Sequence, residues 1–432
     1  MFLIYNLLSL ISLIVYLPWL LFKKGPENRL IYLSERLGIS KYTDADIWIH
    51  AVSVGEVIAA LPFLKAIGKG FPGLKIVFST TTYTGQRIAR ERFPEADRIM
   101  YIPWDTWLTI NRVVKIISPK LFITIETELW PCLFKTLKNN GSHIILLNGR
   151  ISSESFKGYK RIRPFTKKIL SFIDFLYMQG KIDAERIIAI GADEKKVGIM
   201  GNFKFDIELD RNKSVHWMDE IQGRILLAGS THKGEEEIIL DAYEEVKKDI
   251  HDLKLILAPR HPERFNEVAE ILKRRNLEFC RRSELPVHGS QFTPAPSRSF
   301  GTGRAVHRQQ PDIILLDTIG ELSQLFSRAT VSFIGGSLLP YGGHNILEPA
   351  YWGNPIIFGP HMDNFPFAKD FLREDAAIMV KDSRDFARAI KDLLSNSEKA
   401  KQMGKNAKTI IDNNTGAVKK AIDLVRSFIG ST

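Results

Sequence analysis

Only two cysteines, Cys132 and Cys280, occur in 432 residues. That scarcity excludes a disulfide framework and any zinc site built on thiolates, and it fits a reducing compartment. No Walker A sequence is present and no GxGxxG follows an apolar strand, so ATPase and nicotinamide chemistry lose their usual phosphate loops. Charge is missing altogether from Met1 to Phe22, MFLIYNLLSLISLIVYLPWLLF. The basic start and small-residue cleavage site of a signal peptide are missing as well. Acidic residues are the minority elsewhere: 60 Lys and Arg against 49 Asp and Glu give a net charge of +11. Such a surplus favours anionic partners, whether phospholipid headgroups, phosphorylated substrates or nucleic acid.

The uncharged opening segment is long enough for a bilayer, which takes about 20 predominantly apolar residues. Lys23 and Lys24 follow it, and the positive-inside rule then places the rest of the chain in the cytoplasm. We therefore expect residues 1–22 to be a membrane anchor. Asn6, Tyr16 and Pro18 interrupt the run, so a buried or interfacial helix is the alternative.

The remaining length exceeds the usual span of one hydrophobic core, which predicts two domains. From Ile47 onward, short apolar runs alternate with longer amphipathic ones, the pattern of repeated βαβ units and a parallel sheet. Strands are predicted at Ile47 to Ala51, Lys75 to Ser79, Leu121 to Ile125 and His143 to Leu147. A second series runs through Ile225 to Ala228, Leu253 to Leu257, Ile313 to Leu316, Val331 to Ile334 and Ile356 to Phe358. The cadence restarts after residue 205, giving an α/β chain of two doubly wound domains, 23–205 and 206–432. Ligands of such sheets sit beyond the carboxyl ends of the strands, which predicts a cleft between the domains. Ser283 to Gln310 is rich in Ser, Pro, Gly and basic residues without periodicity, and reads as a surface insertion.

Several predicted strand ends carry polar groups. In WIHAVSVGE, Glu56 falls in the first turn of a helix, where it either eases the helix dipole or acts as a general base. Thr80 to Gly85 is a hydroxyl-rich turn that suits sugar, phosphate or a helix cap. FITIETELWP places Glu126 and Glu128 on one side of the chain beyond a strand. Beyond Asn148-Gly149-Arg150, basic residues from Lys157 to Lys168 interleave with Phe156, Tyr159 and Phe165, which suits nucleic acid or anionic lipid, and the apolar N-terminus favours lipid.

In the second half, AGSTHKGEEE, the arginine of Pro259-Arg260, the turn Thr318-Ile319-Gly320-Glu321 and FIGGSLLPYGGHNILEP all follow strands. In the last, glycines permit close approach to a ligand, Asn345 can cap a helix, and Glu348 can take ribose hydroxyl protons. Asp44-Ala45-Asp46 resembles a metal-binding DxD but precedes its strand, so we read it as a turn.

Taken in order, HAVSVGE, TTTYTG, ETELWP, NGRIS, GNFKFD, AGSTHKGEEE, PRHPERF, DTIGELS and GGSLLPYGGHNILEP closely resemble 3-deoxy-D-manno-octulosonic acid (Kdo) transferases. The likeness runs from residue 30 to about 365. It departs at Cys132, where an asparagine commonly follows the Trp-Pro pair, and in the long 283–310 insertion. The resemblance implies a GT-B fold, CMP-Kdo as donor, lipid IVA as acceptor, and inverting transfer at the inner membrane without metal, cofactor or nucleic acid. It makes Glu56 the proton acceptor and gives Glu126 and Lys204 transition-state roles. Donor contacts would fall on Pro259, Arg260, Ile319, Gly320, Glu321, Asn345, Ile346, Leu347 and Glu348. Two other readings stay open: a GT-B transferase using a UDP-sugar, and a non-catalytic basic protein that binds lipid or nucleic acid.

Overall fold

A computed structural model of the chain describes residues 1–22, 28–207, 209, 215–285 and 311–430. Lys23, Lys24 and the insertion from residue 286 onward lie outside these described residues. The chain divides into two compact units, Met1–Asp206 with Asn414–Thr432, and Ile207–Asn413.

The first unit is built on seven strands: β1 (Ile47–His50), β2 (Ile76–Thr80), β3 (Arg98–Tyr101), β4 (Leu121–Ile125), β5 (His143–Gly149), β6 (Phe175–Met178) and β7 (Val197–Ile199). They pair in parallel in the order β3-β2-β1-β4-β5-β6-β7. The predicted strands form because their apolar runs are buried on both faces. Ile47 and Ile49 enter one core cluster and Trp48 the other, as the alternation of side chains along a strand requires. β3, β6 and β7 escaped the sequence reading. Each is three or four residues long with a partly exposed pattern, too short to show a period.

The second unit repeats the plan with β8 (Arg224–Thr231), β9 (Leu253–Pro259), β10 (Phe279–Arg281), β11 (Ile313–Leu315), β12 (Val331–Ile334), β13 (Ile356–Phe358) and β14 (Ala377–Met379). Their order is β10-β11-β9-β8-β12-β13-β14, again all parallel. In each sheet the strand order reverses beside the first strand, between β1 and β4 and between β8 and β12. The loops at those reversals flank the place where open α/β sheets bind ligands.

Two expectations are corrected. The second domain does not run to residue 432: the helix Ala417–Ile429 buries Ala417, Ala421 and Val425 in the core of the first unit with Phe63 and Phe203. The Asp206 carboxylate fixes its start by accepting hydrogen bonds from Gly416 N at 2.6 Å and Val418 N at 2.9 Å. A stripe of this kind announces burial but not which core will bury it.

The spanning anchor is also unsupported: among the described residues no helix is long and apolar enough to cross a membrane. The helix Phe2–Phe22 forms, and its first part docks along one edge on its own unit. Tyr5 Oη donates to Asp105 at 2.8 Å, Trp107 N to Asn6 Oδ1 at 2.8 Å and Trp104 Nε1 to Ser9 O at 3.1 Å. Phe2 meets Phe165 edge-on. Leu3, Leu7, Leu8, Ile11, Ile14 and Val15 remain exposed.

Candidate active site

The reversal point of the first sheet gathers acids. Ser53 caps the helix Val54–Gly70 through Glu56 N, and the Glu56 carboxylate turns back to accept from Val52 N at 2.6 Å and Ser53 Oγ at 3.1 Å. The capping role weighed from sequence is therefore real. It does not exhaust the residue. Glu56 is only 9% exposed, and burial raises its pKa to about 7. The Val52 N–H opposes this, while the carboxylates of Glu126 and Glu128 beyond the neighbouring strand β4 add to it. A carboxyl balanced near neutrality is suited to taking a proton from a hydroxyl.

Glu126 leaves β4 at φ 60°, in the left-handed region that side chains seldom occupy, with its N–H held by Leu147 O at 2.9 Å. Burial raises its pKa, and Lys204 and Arg150 oppose the rise. Lys204 responds in the opposite sense, lowered by burial and by Arg150 but supported by Glu126. The three residues singled out from sequence are thus one electrostatic group. Asn148, quoted only within its motif, proves to be their support. At φ 57° in β5 it accepts a hydrogen bond from Phe203 N at 3.1 Å, while Asn202 accepts from Lys204 N at 3.0 Å. The tendency of asparagine toward positive φ was the available signal. The hydroxyl-rich turn resolves as a cap, Thr82 Oγ1 accepting from Gly85 N at 3.1 Å. The aspartates of the DxD-like turn pair with Lys75 and Lys120.

In the second unit the proposed donor residues follow β11, β9 and β12, which with β8 form an unbroken run of four strands. PRHPER contains two arginines of different kinds. Arg264 is buried and grips Glu236 at 2.6 and 3.1 Å, whereas Arg260 is exposed. Gly320 turns at φ 91° and Ile319 is exposed, but the Glu321 carboxylate is held by both Arg282 Nε and Nη2, at 2.9 and 3.2 Å. Asn345 sits just ahead of the helix Leu347–Trp352, accepting from Leu347 N at 3.1 Å and donating to Glu348 at 3.1 Å. Ile346 and Leu347 bury their side chains, leaving backbone as their means of contact.

The glycine loop after β12 differs from expectation. Its N–H groups at Gly336, Ser337 and Leu338 donate to the fully buried carboxylate of Glu235 at 2.6 to 2.9 Å, as does His232 N at 2.9 Å. Burial raises the Glu235 pKa and these donors oppose it. Glu235 therefore ties the β8 and β12 loops together, a role its place in a run of three glutamates concealed. Among the described residues, no group of three or more His, Cys, Asp or Glu is placed to hold a metal ion.

A family described as 3-Deoxy-D-manno-octulosonic-acid transferase (kdotransferase) matches residues 32–207. A curated 3-deoxy-D-manno-octulosonic acid transferase of Haemophilus influenzae is 34% identical over 425 residues, 95% of this chain and 94% of the relative. One of Rickettsia felis is 32% identical over 90% of this chain and 81% of its own length. The crystal structure of a glycosyltransferase from Rickettsia africae aligns with TM-score 0.54 at 13% identity, over 90% of this chain and all of that one (100%). That likeness concerns fold, two parallel-sheet α/β domains as in GT-B glycosyltransferases.

Proposed function

The chain belongs to the 3-deoxy-D-manno-octulosonic acid transferase family, and from that premise we propose that it moves Kdo from CMP-Kdo to a lipid A precursor, lipid IVA. The carrying observation is Glu56: a buried carboxyl with pKa about 7, beside two further carboxyls at the reversal point of its sheet. In this reading Glu56 takes the proton of the acceptor hydroxyl as its oxygen attacks the anomeric carbon from the face opposite the phosphate. The carbon–oxygen bond to phosphate breaks, its electron pair stays with the phosphate, and CMP departs in one inverting step. Glu126 and Lys204 stabilise the charge that develops. Arg260, Gly320 and the Asn345–Glu348 turn hold the donor. One phosphate carries the leaving charge, which lysine, arginine and backbone donors can offset without a divalent ion.

A lipid acceptor requires access to a membrane surface. The exposed stripe from Leu3 to Val15 supports an interfacial helix that lies in the cytoplasmic face of the inner membrane, with the basic-aromatic segment 156–168 facing anionic headgroups.

Incubation with CMP-Kdo generated in place and purified lipid IVA, in detergent with EDTA, tests donor, acceptor and metal independence at once. A product heavier by Kdo units, resolved by mass, is expected. A folded protein that yields none, with or without magnesium, would falsify the assignment.

A further inference from the structure

Three imidazoles from three loops meet at the carboxyl ends of β9, β8 and β12, and the transfer described above gives them no task. The Nε2 atoms of His232 and His344 lie 2.7 Å apart with the rings 9° from parallel. His261 meets His232 edge-on at 5.3 Å, and Tyr341 stacks on it at 4.3 Å. Gly336 makes room for the pair: a Cβ there would stand 3.0 Å from Cδ2 of His344 and 3.3 Å from Cδ2 of His232.

A nitrogen–nitrogen contact of this length needs one proton between the rings, and two imidazoliums could not share it. The surroundings are cationic. Arg260, His261 and Arg264 from the β9 side bear on His232, and Arg260 and His261 on His344. Burial and these neighbours lower both histidines, His344 to about 4. The nearby carboxylates are committed elsewhere: Glu235 to four backbone N–H groups, Glu236 to Arg264, Glu348 to Asn345, and Glu267 to Arg264 and Lys233. Glu263 stands 3.8 Å from His261. Among the described residues, no carboxylate forms an ion pair with His232, His344 or Arg260. Two imidazoles kept neutral by burial and by the positive charge around them lack only an anion to become protonated.

We propose that His232, His344 and Arg260 receive the phosphate of the cytidine nucleotide, and that its binding draws one proton onto the imidazole pair. This rests on the transfer reading above and deepens it. When the anomeric carbon–oxygen bond breaks, the electron pair passes to the phosphate oxygen and the shared imidazolium offsets its second charge. The acceptor proton goes to Glu56, so no further reactant is needed. Phosphate fits the site better than a sugar carboxylate because its three oxygens can engage two imidazoles and a guanidinium together.

Calorimetric titration of the full chain with CMP, in two buffers of different ionisation enthalpy near neutral pH, tests this. Expected are CMP binding with net proton uptake, and at least roughly tenfold weaker binding of cytidine and of free Kdo, neither with uptake. His232→Gln and His344→Gln should each weaken CMP by roughly tenfold or more and abolish uptake, with cytidine binding and melting temperature unchanged. His344→Asn provides a second variant should glutamine disturb the fold. Variants that bind CMP with the affinity and proton uptake of the wild type overturn the histidine assignment alone. Uptake carried by free Kdo overturns it in favour of the carboxylate. A wild type that binds UMP but not CMP overturns the donor reading and this inference with it.

Discussion

Glu126 and Asn148 stand at φ 60° and φ 57° at the ends of the adjoining strands β4 and β5, so both segments leave the sheet through the left-handed region. The irregular register of β5 against β6 between Leu146 and Gly149 accommodates the second of these turns. Backbone strain of this kind costs about 1 to 3 kcal/mol per residue and persists where a site needs it. Here one strained residue supplies a carboxylate, and the other holds the turn that carries its lysine.

Replacing Asn148 by alanine should therefore act on both stability and transfer. Phe203 N loses its buried acceptor, a loss worth about 1 to 3 kcal/mol in denaturant unfolding. At a temperature where the variant is fully folded, transfer should still fall, because Lys204 is no longer held against Glu126. Unchanged kcat in the folded variant would contradict the supporting role.

Glu56→Gln separates the cap from the base. Glutamine preserves the hydrogen-bonding shape at the start of the helix but cannot take a proton, so the melting temperature should stay near that of the wild type. Loss of a general base should lower kcat by roughly one hundred to ten thousand fold. Loss of a helix-dipole contact alone, about 0.3 to 1 kcal/mol, would change it by only a few fold.

The acidity of Glu56 sets the pH profile. Its folded pKa is raised to about 7, chiefly by burial, and the base must be ionised. Hence kcat/KM should climb with pH through about 7 and level off above. Glutamate at position 126 adds to that shift, so Glu126→Gln should move the inflection to lower pH in whatever activity remains.

Asp105 governs docking of the N-terminal helix. Burial raises its pKa to about 6, while Tyr5 and the N–H groups of Cys132 and Leu133 oppose the rise. A carboxyl raised in the folded state contributes stability that is complete below its ordinary range and lost as pH climbs through about 6. Tyr5→Phe removes a donor to the charged form, so the loss should extend to higher pH and deepen by about 1.5 to 3 kcal/mol. Urea unfolding across that range measures both effects, and a flat difference between the two proteins would contradict this account.

Glu235→Ala should unfold the loop pair of the second unit. Four N–H groups, at His232, Gly336, Ser337 and Leu338, lose one buried acceptor. The cost should reach roughly 3 kcal/mol or more, with CMP binding lost alongside it. Melting followed in parallel with nucleotide titration would detect both.

The sequence by itself determined the local grammar of this protein. Apolar runs such as Leu121 to Ile125 and Val331 to Ile334 became strands with those bounds, because a strand buried on both faces needs only its own composition to be read. The ordered motifs after those strands identified the family. Tertiary structure decided what no local pattern carries. It set β1 beside β4 and β8 beside β12, assigned Ala417–Ile429 to the first unit, and laid the N-terminal helix against Asp105. It buried Arg264 and left Arg260 exposed within one short motif. Glu56 shows the reason most plainly. Its place at a helix start is written in HAVSVGE, but its affinity for a proton depends on desolvation and on carboxylates some seventy residues away, and those are properties of the folded chain alone.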